Sequence, residues 1–267
     1  MAEQLRRPRR GDVAHSPRTA AVWEVVHRLA ADLAADRTAE SAHASGGLQV
    51  LDVGGGTGGM AVPLAELGHH VTVVDPSPDA LAALGRRAAE SGVQQLVEAV
   101  QADTATLADV VPPASIDLVC CHEVLEYVDD PAAAVRAVAD VLRPGGKVSL
   151  LVAQRSAAVL ARAVAGRFAE AARALDDPDG RWGADDPLPR RYDEASLVAL
   201  VRAAGLDVEL VHGVRVFSDL VPAALLDGED ARAALLDLER RAGDHPTQPA
   251  LAALATQLHV VAHRPAG

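Results

Sequence analysis

The chain has 267 residues, 49% of them apolar, and a formal net charge of −12. That is enough for one large α/β domain with a sizeable core. No apolar run approaches the roughly 18 uncharged residues of a membrane helix, the two cysteines sit side by side as Cys120 and Cys121 rather than in a disulfide framework, and the acidic balance argues against a body built to grip nucleic acid.

The charge is uneven. Residues 1 to 18 carry Arg6, Arg7, Arg9, Arg10 and Arg18 against Glu3 and Asp12, a net +3, which leaves −15 on the rest. Residues 1–16 are polar and interrupted by proline, and read as a flexible basic arm. The run Arg6 to Arg10 reads as a solvated tail before it reads as a phosphate-binding arm. Residues 17–267 read as a single domain, with a core at 48–153 and substrate-side and C-terminal elements at 154–267. An arginine-rich start in place of an apolar leader, with thiols unpaired, leads us to expect a cytoplasmic protein.

A helix is expected from Ser16-Pro17, because Ala20, Ala21, Trp23, Val26, Leu29, Ala30 and Leu33 recur at helical spacing. Thr38 to Gly47 is small and polar, a loop. Val50, Leu51 and Val53 then suit a strand buried on both faces of a parallel sheet. That strand runs into Gly54-Gly55-Gly56-Thr57-Gly58-Gly59, where glycine permits a sharp turn and leaves no side chain between backbone and ligand. A helix is expected from near Thr57, with its free N–H groups over the loop.

Gly54, Gly56 and Gly59 satisfy G-x-G-x-x-G, which NAD-, FAD- and S-adenosylmethionine-binding folds all use. Asp52 separates these choices. A carboxylate at the strand end repels a pyrophosphate but can hold the ammonium of a methionine moiety. A second strand, His70 to Asp75, ends 21 residues after Gly54, where Asp75 can accept both hydroxyls of a ribose. Pro78 to Ser91 is a helix that Ser77 or Asp79 can cap.

Leu96 to Val100 is a third strand. Asp103, beside Thr104, can accept an adenine amino group or serve as a turn aspartate. Ser115 to Cys121 is a fourth strand opening into His122-Glu123-Val124-Leu125-Glu126-Tyr127, the strand edge where open α/β sheets bind ligands. Pro131 to Leu142 is a helix and Lys147 to Ala153 a fifth strand. Ser156 to Leu175 suits one helix, Asp176 to Pro189 an acidic loop over the sheet edge, and Asp193 to Ala204 a helix. Leu206 to Phe217 suits a sixth strand, Ala231 to Ala242 a helix in an insertion, and Gln257 to His263 the last strand. The alternation predicts a doubly wound, mostly parallel seven-stranded α/β sheet. No metal site is expected: His259 and His263 share a strand face but lie about 13 Å apart at ~3.3 Å per residue.

The stretches Val50 to Gly58 and Leu142-Arg143-Pro144-Gly145-Gly146-Lys147 resemble motifs of the class I S-adenosylmethionine-dependent methyltransferases, a likeness spanning 48–153. Leu51 to Gly56, His122 to Pro131, Gly213 to Asp219, Leu236 to Arg241 and Gln257 to Ala262 are similar, more narrowly, to bacterial tRNA 5-carboxymethoxyuridine methyltransferases. The resemblance implies a Rossmann-like fold, S-adenosyl-L-methionine as cofactor and tRNA as partner. It also implies that Arg18, Gly54, Gly55, Asp75 and His122 surround the cofactor. The residues themselves add Asp52, Gly56, Asp103 and Thr104, although Ala102-Asp103-Thr104-Ala105 replaces the family's small polar segment there. The chain departs from the family where Asp176, Asp177, Asp179, Asp185 and Asp186 replace a lysine-rich loop and where Ala153-Gln154 replaces an aromatic–asparagine pair. An acidic small molecule is therefore the alternative acceptor, and a non-catalytic cofactor-binding protein the more distant one.

A carboxylate acceptor is already a nucleophile and needs a cationic clamp rather than a base. Arginine's planar fork suits that, which singles out Arg190, Arg191 and Arg215. For a hydroxyl or amine acceptor, His122 or Glu123 can take the proton.

Overall fold

The computed structural model describes residues 19–40 and 46–266. Its strands are β1 (Gln49–Val53), β2 (His70–Val74), β3 (Val97–Val100), β4 (Ile116–His122), β5 (Leu142–Ala153), β6 (Asp207–Val214) and β7 (Gln257–His263). Its helices are α1 (Ala20–Glu40), α2 (Ala61–Glu66), α3 (Pro78–Glu90), α4 (Leu107–Val110), α5 (Pro131–Val141), α6 (Arg155–Val164), α7 (Phe168–Asp176), α8 (Glu194–Ala203), α9 (Glu229–Gly243) and α10 (Pro249–Ala252). The strands form one sheet in the order β3-β2-β1-β4-β5-β7-β6. The pairs β1–β2, β1–β4, β2–β3 and β4–β5 are parallel, and β7 runs antiparallel to both β5 and β6. This is the expected mostly parallel α/β sheet. The basic arm at 1–16 lies outside the described residues.

The central strands are apolar on both faces because both faces are covered. On one face Leu51, Val53, Val119, Leu150 and Val260 pack with Val135 and Val138 of α5 and Leu197 and Val201 of α8. On the other, Val50, Val73, Leu118 and Val261 pack with Val26 and Leu29 of α1, Val62 of α2 and Leu84 of α3. Among the described residues no helix is long and apolar enough to cross a membrane.

Several elements differ from expectation, β5 beginning at Leu142 rather than Lys147 and α1 running to Glu40 among them, and four differences shape the site. First, α2 begins at Ala61 instead of near Thr57, because Gly56 (φ +53°) and Gly58 (φ +80°) are left-handed and cannot continue a right-handed helix. With six residues α2 supplies no N-terminal anion site, so the expected role of its free N–H groups is withdrawn. Second, the stretch read as one helix from Ser156 to Leu175 is two, α6 and α7. Gly166 at φ +73° stops α6, and the N–H of Arg167 reaches back to the carbonyl of Arg162 at 2.8 Å, the closing bond of a left-handed helix end.

Third, α4 is an extra short helix after β3. Fourth, β6 stops at Val214 rather than Phe217. Arg215 turns the backbone left-handed (φ +64°), and Glu239 of α9 takes the next three backbone N–H groups: Val216 at 2.7 Å, Phe217 at 2.9 Å and Ser218 at 2.6 Å. The Ser218 hydroxyl donates to the same carboxylate at 2.5 Å. Glu239 is 5% exposed, so it is a buried charge satisfied by donors from the turn it organises. Glu239→Ala leaves those donors unpaired and should cost about 2–3 kcal/mol of stability, read as a lower urea midpoint with an unchanged slope.

Candidate active site

The chain leaves β1 toward β2 and β3, and leaves β4 toward β5, β7 and β6. The loops after β1 and β4 therefore part at their C-terminal ends, and a cleft opens between them. Its volume is about 550 Å³. Val53, Val74, Ala102 and Val124 give it apolar walls. Among the described residues lining it are five carboxylates, Asp75, Asp103, Glu123, Asp129 and Asp130, and neither lysine nor arginine. Such a cleft repels a pyrophosphate and accepts a cationic ligand with neutral hydroxyls and a flat ring.

The glycine loop is shaped by close approach. Gly54 lies at φ +69°, and a side chain there would bring its Cβ within 2.5 Å of Val124 Cγ2 across the cleft. Gly56 donates its N–H to Asp75 Oδ2 at 2.9 Å, while Ser77 donates to Asp75 Oδ1 at 2.8 Å. Asp75 is thus fixed in the cleft wall at 8% exposure with acceptor capacity on both oxygens. The residues fit S-adenosylmethionine: a glycine cradle, an oriented carboxylate at the end of β2 and an acidic apolar cleft.

Asp52 is placed differently from expectation. Its carboxylate lies beneath the loop, where a side chain on Gly55 would strike it, and not in the cleft wall. It is 3% exposed and Oδ2 has no hydrogen-bond partner. Burial first, then the charge of Asp75, pushes its pKa to about 7 against the opposing N–H of Ala61. Asp103 is exposed, and Oδ1 accepts from Ala105 N–H (2.9 Å), Thr106 N–H (3.0 Å) and the Thr106 hydroxyl (3.0 Å). It is therefore a turn aspartate that also lines the cleft, with Thr104 buried beside it. Arg18 lies outside the described residues.

His122 ends β4, directly before cleft residues Glu123 and Val124. Its Nε2 meets Ser149 Oγ at 2.8 Å, and burial lowers its pKa to about 4, so it is neutral. Glu123 has a left-handed backbone (φ +58°), a cost that a β4 end held by neighbours can sustain at a functional turn. Glu126, 1% exposed, accepts the Ala153 N–H at 2.6 Å through Oε1, while Oε2 has no partner and burial raises the group to about 7.

The arginines are already engaged. Arg191 closes a two-pronged pair on Asp186 at 2.6 and 2.9 Å, and Arg190 donates to the Val128 carbonyl at 2.7 Å with Asp179 at 3.6 Å. Both hold the 177–192 loop, so their forks are not open to a ligand. Arg215 is engaged as well: it meets the Asp219 carboxylate and, at 3.4 Å, Gln257 Oε1, and only its buried Nε has no partner. Gln257 Nε2 in turn contacts the Glu123 carboxylate, so a polar chain links Arg215 to the cleft wall. Gln257, Glu126, Ser149 and His259 went unnoticed as a group in the sequence. Their one signal was a polar residue inside or just beyond an apolar strand run.

Residues 51–150 match the family described as a methyltransferase domain. The tRNA 5-carboxymethoxyuridine methyltransferase of Escherichia coli K12 is 29% identical over 99% of this chain and 95% of its own length. A ubiquinone biosynthesis O-methyltransferase of Xanthomonas euvesicatoria pv. vesicatoria is 40% identical over 63% of this chain and 66% of its own. An S-adenosylmethionine-dependent methyltransferase structure from Mesorhizobium loti superposes with a TM-score of 0.58 at 23% identity, covering 93% of this chain and all of that one.

Two outcomes are expected. Asp75→Ala should weaken S-adenosylmethionine binding by about 2–3 kcal/mol in calorimetry, since two ribose hydroxyls lose a charged acceptor. Asp52 holds a proton in the folded state that it loses near pH 3.8 when unfolded. Its stabilising effect is complete below about pH 4 and fades as pH rises through about 7. Melting temperatures of Asp52→Asn between pH 4.5 and 8 should therefore fall less steeply than those of the parent.

Proposed function

We propose that this chain, an S-adenosylmethionine-dependent methyltransferase of the class I fold, forms a methyl ester on the carboxylate of 5-carboxymethoxyuridine in cytoplasmic tRNA. The observation that carries the reading is the full-length likeness to the Escherichia coli tRNA methyltransferase, which extends through residues 154–267 and not only through the fold-wide motifs. We take 17–267 as one working domain on the same ground.

When bound, the cofactor supplies a methyl group on a positively charged sulfur. The chain's own residues orient and enclose. Asp75 takes the ribose hydroxyls, Gly54 and Gly56 keep the loop clear, and Val53, Val74 and Val124 exclude water from the adenosine side. The acceptor carboxylate is anionic at neutral pH, so no side chain has to remove a proton; it has to be held in line. Arg215, on a turn that Glu239 fixes, is the clamp once it exchanges the Asp219 carboxylate for that of the acceptor. Beside that turn a second cavity of about 300 Å³ runs from Ala153 and Ala158 to Val216 and Leu254, with Trp182 in its wall and Arg162 stacked over the indole at 4.0 Å. It offers an apolar slot for a flat acceptor ring.

One observation favours the second reading, an acidic small-molecule acceptor. The loop at 177–192 replaces a cationic segment with aspartates, and Arg190 and Arg191 pair with Asp179 and Asp186 of that same loop. It therefore adds little attraction for phosphates.

Nucleoside mass spectrometry of tRNA from a strain lacking the gene should show loss of the methyl ester and accumulation of the free acid. An unchanged nucleoside profile, with methyl transfer from labelled cofactor to small acids in vitro, would replace the tRNA reading with the second one. Arg215→Lys should lower turnover about tenfold or more while cofactor affinity stays within about twofold, because lysine keeps the charge and loses the fork.

A further inference from the structure

On the face of the sheet covered by α1, a row of polar side chains crosses four strands, β4, β5, β7 and β6. His122 Nε2 on β4 lies 2.8 Å from Ser149 Oγ on β5. The same hydroxyl lies 2.6 Å from His259 Nε2 on β7. His259 Nδ1 lies 3.4 Å from His212 Nε2 on β6. Ser149 and His259 are both fully buried. The rings stand edge to face, with centroids 4.8 Å apart for His212–His259 and 6.0 Å for His122–His259.

A serine hydroxyl has one proton. Lying between two imidazole nitrogens, with no other acceptor for its proton among the described residues, it satisfies that proton only by donating to one ring and accepting from the other. Burial keeps His122 and His259 neutral, so each ring carries one N–H. The row then has only two proton orders, and the terminal ring, His212, selects between them. No hydrogen bond to His212 Nδ1 is present among the described residues, with Asp244 the acid that acts on the ring, and we assign it the ordinary Nε2–H form of a neutral imidazole, donating to His259 Nδ1. His259 then carries its proton on Nε2 and donates to Ser149 Oγ. Ser149 donates to His122 Nε2. The proton of His122 is left on Nδ1, which also has no protein partner among the described residues.

We propose that Ser149, His259 and His212 are positioning residues that hold His122 as an Nδ1–H donor for a carboxylate, either that of the cofactor's amino-acid end or that of the acceptor. The proposal rests on the reading of His122 as a group that meets the cofactor or the acceptor. It adds the proton order, which suits an anionic partner and not one whose own proton has to be removed. Nothing in it requires a proton to travel along the row. The row is a tautomer lock, with its tightest bonds at the His122 end.

Long-range ¹H–¹⁵N correlation spectra of the ¹⁵N-labelled full chain test the lock without any acceptor. His122 should show a protonated Nδ1 and an unprotonated Nε2. Ser149→Ala should return the ring to a mixture weighted to Nε2–H in a protein that stays folded with a melting temperature lower by several degrees, because the buried His259 N–H loses its acceptor, and Ser149→Thr, which keeps the hydroxyl, should restore the parent pattern. If the carboxylate belongs to the cofactor, Ser149→Ala weakens S-adenosylmethionine binding about tenfold; if it belongs to the acceptor, cofactor affinity holds and the acceptor KM rises about tenfold. Added to His122→Ala, Ser149→Ala should cost nothing further in that affinity or KM, because a positioning residue acts through the group it positions. An unprotonated Nδ1 on His122 in the parent protein, or the same loss from Ser149→Ala with and without His122, would overturn the proposal. A failed tRNA assay leaves the spectra untouched, so the two readings fail separately.

Discussion

The reversal of strand order between β1 and β4 is the constraint on which the site depends. Two parallel strands whose connections leave in opposite directions cannot keep their following loops together, and the gap falls at the carboxyl ends. Everything placed at the site follows from that geometry. Gly54 faces Val124 across the gap, and Asp75 comes from β2 on one side while Glu123 comes from β4 on the other. The tight β1–β4 register, with Asp52 opposite Cys120, makes the underside of the loop dry.

That dryness explains the protonation behaviour of the site. Asp52 and Glu126 are carboxyls with one oxygen unpartnered, and burial lifts both to about 7. In a wetter cleft they would be ordinary carboxylates. Buried as they are, each is half-satisfied and stays protonated well above the usual carboxylate range, which removes charge repulsion beneath a cleft already lined by five acids. The histidines under the same edge respond in the opposite direction to the same cause and remain neutral.

The turn after β6 is organised by a third buried acid, used in the opposite way. Glu239 is surrounded by donors, keeps its charge satisfied and ends β6 early by taking three backbone N–H groups in succession. This converts the stretch read as strand into a strained turn that presents Arg215. The arginines nearer the loop at 177–192 are consumed in holding that loop closed. A guanidinium bound twofold to Asp186 has no fork left for a ligand, whatever its promise as an isolated residue.

The fold class, the strand–glycine loop–strand order, Asp75 and the cofactor class were legible in the sequence because they depend on local pattern: apolar runs of strand length, glycines at a turn and a fixed spacing to the next strand end. The helix starts at Ser77 and Asp193 were equally local, each side chain capping the turn that follows it. The location of Asp52 under the loop, the withdrawal of Arg190 and Arg191, the early end of β6 and the row from His122 to His212 were not legible. The last two depend on groups tens of residues apart, such as Glu239 with Val216 or Ser149 with His259, whereas Arg191 with Asp186 and Asp52 with Gly55 are near in sequence but meet in loops that carry no periodic signal. Periodicity along one chain segment determines which face a side chain takes. Which partner waits on that face is decided by strand order, and only the folded sheet sets it.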